Sequence, residues 1–92
     1  MLDKPKEVST MKKLDKAISL LEEILNDRGV PRNIKNSIEE AINGIKEEEE
    51  SEEVKISTLV SVLDEASNDP NISLSARTKI WDIVSKLEDL NR

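Results

Sequence analysis

Aliphatic residues recur along this chain every three to four positions, in four separate stretches. The first stretch carries Met11, Leu14, Ile18, Leu21 and Leu25, spaced 3, 4, 3, 4, with Ala17, Leu20 and Ile24 beside them. That period places one apolar stripe on one side of a helix. Ser9 or Thr10 can cap its start, and Asn26-Asp27-Arg28-Gly29 breaks it, with Gly29 able to take a positive φ. The second stretch opens at Val30-Pro31, where proline is preorganised for a first helical turn. It carries Ile34, Ile38, Ala41, Ile42 and Ile45. The third, after a Ser51 cap, carries Ile56, Leu59, Val60, Leu63 and Ala66, and stops at Ser67-Asn68-Asp69-Pro70 because proline disfavours a helical residue before it. The fourth, after a Ser73 cap, carries Ala76, Ile80, Ile83, Val84, Leu87 and Leu90. Residues 1–8, with Pro5 and mixed charges, show no such face and are expected to form a flexible arm.

The two halves match at an offset of 42 residues. Ser19, Leu21, Glu23, Asn26, Asp27 and Ile38 are repeated as Ser61, Leu63, Glu65, Asn68, Asp69 and Ile80. Shared helical period explains part of this agreement. It does not explain the Asn-Asp pair at both turns, since turns carry no period. Each half thus predicts a helical hairpin with a HEAT-like pattern. Two such hairpins can bury their stripes only against each other. The expected fold is all-α: a four-helix up-and-down bundle of two pseudo-repeated hairpins, about 24 Å long for helices of about 16 residues. Its single domain covers 9–92, with hairpin 1 over about 9–46, an acidic linker over 46–53, and hairpin 2 over about 51–91.

Composition agrees with this and narrows the chemistry. The chain has 92 residues, enough for one modest core. It has no Phe or Tyr and one Trp, so the core must be aliphatic. The net charge of −6 is concentrated: Lys46 to Glu53 alone carries −5, in six Glu and one Lys. Glu opposes the dipole at a helix C-terminus and complements it at an N-terminus. The second helix should therefore end near Lys46, and Glu52 and Glu53 should open the third. The acidic run reads as a solvated linker first, and as a docking site for a basic partner second. Histidine and cysteine are absent, which removes the usual general base, thiol nucleophile, imidazole ligand and disulfide. The only glycines, Gly29 and Gly44, make no phosphate loop. No cofactor, no metal and no enzyme activity are expected. No apolar run approaches the ~20 residues of a membrane span, and Met1–Val8 lacks a signal-peptide core, so a cytoplasmic protein is expected.

An up-and-down bundle gathers both matching turns at one end. Asn26, Asp27, Arg28, Arg32 and Lys35 should then meet Asn68, Asp69, Asn71 and Arg77. The structural reading is that each Asn-Asp satisfies free backbone groups and each Asp pairs with the base eight positions on, Asp27 with Lys35 and Asp69 with Arg77. The functional reading is a polar recognition end whose arginines engage carboxylate or phosphate. Trp81 is either a partly buried core residue at the edge of its stripe or, if exposed, an interface anchor. The wide apolar face of the third helix, from Val54 to Ala66, points the same way, towards a homodimer or a partner helix.

The segments Leu25 to Lys35 and Ser67 to Ile72, followed by Arg77-Thr78-Lys79-Ile80-Trp81, resemble an archaeal family of small proteins, uncharacterised protein family 0147. The resemblance spans about residues 11–90. It implies an all-helical bundle in an archaeal cytosol and supplies no activity. It also implies a proline just after Ile72, where this chain has Ser73. The functional expectation is a non-catalytic protein–protein interaction or assembly module, with a homo-oligomer as one form. The alternative is a nucleic-acid- or ribosome-associated factor using the basic turn end, which the overall acidity disfavours.

Overall fold

A computed structural model describes residues 3–91, with side chains from Lys13 onwards. It contains four helices: α1 (Asp3–Leu25), α2 (Arg32–Glu47), α3 (Glu52–Ala66) and α4 (Leu74–Leu90). No strand occurs among the described residues. The breaks fall where the local chemistry puts them. The Ser51 hydroxyl accepts the Val54 N–H at 3.3 Å, and the Ser73 hydroxyl accepts the Ala76 N–H at 3.1 Å. These are the side-chain caps expected for α3 and α4. Glu52 and Glu53 occupy the first turn of α3, where carboxylates complement the helix dipole. Pro31 is the N-cap of α2 rather than its first residue.

Helices adjacent in sequence pack side by side, and α4 closes back on α1. The section is a rhombus: α1 and α3 approach across its short diagonal, whereas the backbones of α2 and α4 stay apart. Three contacts fix the directions. The Asn91 amide donates to the Glu53 carbonyl at 3.1 Å and to the Ser57 hydroxyl at 3.4 Å, setting the end of α4 beside the start of α3. Lys13 reaches Glu53 at 3.1 Å, setting α1 parallel to α3. The Ser73 N–H donates to the Gly29 carbonyl at 3.2 Å, holding both turns at one end.

The core follows the four stripes. Leu21, Ile24, Ile38, Ile45, Ile56, Leu59, Leu63, Ile80, Ile83 and Leu87 are almost fully buried, and Ala17 and Ala76 fill the close approaches. Each such aliphatic side chain contributes about 1.5–3 kcal/mol relative to an exposed one. Val30 and Ile72, which match across the repeat, plug the turn end of this core. Met11, assigned to the first stripe, lies outside the described side chains.

One expectation is corrected. The helical backbone of α1 already runs through residues 3–8, where the sequence predicts an arm. Pro5 is the third residue of the helix, and a first-turn N–H has no intrahelical acceptor to lose. Met1 and Leu2 lie outside the described residues. Because Lys13 is level with the start of α3, about ten residues of α1 project beyond it. The longest dimension is accordingly 48 Å, not about 24 Å. Gly29, though able to take a positive φ, does not do so. It is glycine for lack of room, as described next.

Candidate functional site

The two turns are built alike, down to individual hydrogen bonds. The Asp27 carboxylate accepts the Gly29 N–H at 2.7 Å, and the Asp69 carboxylate accepts the Asn71 N–H at 2.8 Å. The Val30 N–H donates to the Asp27 carbonyl, and the Ile72 N–H to the Asp69 carbonyl, both at 3.3 Å. These Asp-centred turns satisfy backbone groups that the helix ends leave open. The repeated Asn-Asp is therefore structural at its Asp. Asn26 and Asn68 are exposed.

The link between the turns breaks the symmetry. Ser73 donates its N–H to the Gly29 carbonyl. The matching bond would run from residue 31 to the Asn71 carbonyl, and Pro31 has no N–H to give. The approach is close enough that a Cβ on Gly29 would collide with the Ser73 hydroxyl and lie 3.1 Å from the Asp27 carboxylate.

The structure gathers the basic residues at this end but pairs them differently from expectation. Asp27 meets Lys79 of α4 at 3.5 Å, not Lys35. The Arg77 guanidinium donates to the Asp69 backbone carbonyl at 3.4 Å, not to its carboxylate, and its Nε is buried without a hydrogen-bond partner. Both Asp carboxylates spend an oxygen on their own turns, and the other oxygen of Asp27 takes its cation from α4. Arg28 and Arg32 are exposed, and Lys35 is half-buried. Arg32 opens α2, whose N-terminus has no side-chain cap and no acid in its first turn. Free amides and two arginines make this corner electropositive.

Trp81 belongs to a different surface. It is 53% exposed on α4. Leu74, seven residues earlier and therefore on the same side of the helix, is 72% exposed. Sequence reading singled out Trp81 and passed over Leu74. The available signal was position: Leu74 lies off the Ala76–Ile80–Ile83–Leu87 stripe and in line with Trp81. On α3, Val54 is 45% exposed, beside the small residues Ser57, Thr58 and Ser61, which floor a shallow hollow. A second shallow groove, between α1 and α4, is floored by Leu20 and Leu90 and rimmed by Lys16 and Lys86.

Glu53 at the start of α3 shows a shifted acidity. A backbone amide at the start of α3 bonds its carboxylate, and Lys13 adds a hydrogen bond and a positive charge, so its pKa lies below the ordinary 4.5. No group of three or more acidic side chains among the described residues is arranged to hold a metal ion, and no helix there is long and apolar enough to cross a membrane.

Known proteins resemble the chain over nearly all of its length. The family model described as "Uncharacterised protein family (UPF0147)" matches residues 2–90. A UPF0147 protein of Desulfurococcus amylolyticus is 46% identical over 79 residues, covering 86% of this chain and 87% of its own. One from Methanocaldococcus jannaschii is 49% identical over 69 residues, covering 75% and 74%. A crystal structure of a protein of unknown function, MMP1188, superimposes with a TM-score of 0.69 at 45% identity, covering 83% of this chain and 86% of that one.

Proposed function

The chain is a member of the UPF0147 family, and from that premise we propose that it acts without catalysis, as a protein–protein interaction or assembly module in the cytoplasm. The observation that carries this reading is the exposure of Trp81 in line with Leu74 on α4. Tryptophan is the residue most enriched where interfaces concentrate their binding energy. Here the chain's only aromatic side chain stands in water while the aliphatic stripes fill the core. The lack of histidine and cysteine favours binding over chemistry. Affinity purification from the native cell, read by mass spectrometry, tests it with wild type beside Trp81→Ser. A partner retained by wild type and lost by the variant is the expected result. Equal recovery by both would remove Trp81 from the reading.

A nucleic-acid- or ribosome-associated role has one observation in its favour: the uncapped start of α2 between Arg28 and Arg32. It ranks second because Arg77 is turned towards the Asp69 carbonyl and Lys79 towards Asp27, which leaves fewer cations for phosphate. RNA titration at increasing salt separates the two. Several released counterions give a steep slope of log affinity against log salt, and the interaction reading expects no RNA affinity to titrate.

A further inference from the structure

The chain has two glycines, and packing explains one of them. A Cβ on Gly29 would collide with Ser73, whereas a Cβ on Gly44 would meet nothing within 4 Å. Yet Gly44 lies inside α2, where glycine weakens a helix relative to alanine. No close approach requires it there. What Gly44 does is follow Asn43. Among the seven asparagines of the chain, only Asn43 precedes a glycine. That pairing is the one most open to attack on the asparagine side chain. No Cβ shields the next backbone nitrogen, and glycine lets the chain bend into the five-membered ring that the attack forms. Asn43 and Gly44 are both exposed.

The helix holds this reaction off, because helical backbone keeps the Gly44 nitrogen in the hydrogen-bond ladder and away from the Asn43 side-chain carbon. The restraint is weak at this point. The helix ends shortly after, at Glu47. Its C-cap, Glu48, is extended, so no left-handed cap closes the last turn. Glu47 to Glu50 are exposed and set negative charge on the negative end of the helix dipole, against which Lys46 is the one base in the last turn. A single side chain pins that turn to the core: Ile45, 2% exposed.

We propose that Asn43 is a site of spontaneous deamidation, released by opening of the last turn of α2. The Gly44 nitrogen attacks the Asn43 side-chain carbonyl carbon and forms a new C–N bond. The bond to the side-chain nitrogen breaks, and that nitrogen leaves as ammonia with the proton given up by Gly44. Water then opens the resulting succinimide at one carbonyl or the other, giving aspartate or isoaspartate. Solvent supplies everything the reaction consumes. The product disfavours reclosure. Its new carboxylate lies in the shallow hollow between α1 and α2, which Glu22 and Glu39 line against Lys46, at the helix end where negative charge is unfavourable. Isoaspartate also lengthens the backbone by one carbon and breaks the register of the ladder. The modification is therefore a one-way release of the end of α2.

Incubation of the full, folded chain at mildly alkaline pH, followed by peptide mass spectrometry that separates isoaspartate from aspartate, tests this. Asn43 should convert faster than any other asparagine. Asn36 is the internal comparison, since it is exposed on the same helix but lies away from its end. Gly44→Ala should slow conversion at Asn43 about tenfold or more, by shielding the nitrogen and firming the helix. Ile45→Val trims the pin without touching the reacting pair, and should speed conversion at Asn43 about two- to tenfold while leaving Asn36 unchanged. An equal acceleration at Asn36 would overturn release by the last turn, because the whole fold would then be opening. Conversion of Asn43 confined to the urea-unfolded chain would overturn the site itself.

Discussion

Gly29 and Ser73 stand so close that the glycine's missing side chain is what allows the two turns to touch. The Ser73 N–H donates to the Gly29 carbonyl at 3.2 Å, and a Cβ on Gly29 would meet the Ser73 hydroxyl. Gly29→Ala should therefore destabilise the bundle by about 1–3 kcal/mol, the range for overpacking. The collision belongs to Ser73, and glycine at an N-cap costs only a few tenths of a kcal/mol. In a Ser73→Gly background, the same Gly29→Ala change should be close to neutral. The φ of Gly29 is not positive, so alanine there can even recover unfolded-state entropy. A double-mutant cycle in urea measures the coupling. Additive costs would show that the two turns do not constrain each other.

Arg32 is the first residue of α2, at a helix start with no side-chain cap and no acid. Its charge opposes the positive end of the helix dipole. Arg32→Glu should stabilise the fold by about 0.3–1 kcal/mol at low ionic strength, and added salt should erase the gain. Chemical denaturation at two salt concentrations checks both. A loss of stability would mean that Arg32 has a structural partner.

Trp81 and Leu63 offer opposite cases. Leu63 is fully buried, and Leu63→Ala should cost about 2–5 kcal/mol. Trp81 is more than half exposed, and Trp81→Ser should change stability by no more than about 0.5 kcal/mol. Thermal unfolding of the two variants side by side makes the comparison. A Trp81→Ser cost equal to that of Leu63→Ala would place the indole in the core and remove it as a contact.

Glu53 is held ionised by an amide at the start of α3 and by Lys13. Its folded pKa lies below the ordinary 4.5. The stability it contributes is therefore present above that ordinary value and is lost as pH falls through the lowered one. An NMR titration of side-chain carboxyl shifts should find Glu53 protonating below the ordinary glutamate value. Lys13→Met should move it part of the way back and leave the amide's share in place. No movement would mean that Lys13 does not act on it.

The helices were legible because the stripes are local: Ile34, Ile38, Ile42 and Ile45 need only their own spacing to declare one face. Ser51 and Ser73 announced their caps for the same reason. What escaped depends on residues far apart in the chain. Asp27 takes its cation from Lys79 rather than Lys35, and nothing within one turn shows that α4 passes there. Gly29 is glycine because of Ser73, which lies in the other hairpin. Residues 3–8 have no apolar stripe, so periodicity could not mark them as helical. The two turns do meet at one end, as an up-and-down bundle requires, but the ion pairs there are not the expected ones. Trp81 carried two readings that its neighbours in sequence could not separate, and the structure leaves it more than half exposed.

Proline at position 31 gives the molecule a handedness of roles that its duplicated pattern hides. A bond between the turns needs an amide hydrogen on one side and a carbonyl on the other. Two copies of the second turn could exchange two such bonds, and two copies of the first could exchange none. The hairpins are therefore not interchangeable halves. One has become the donor and the other the acceptor, and the order in which they occur along the chain is part of what the fold encodes.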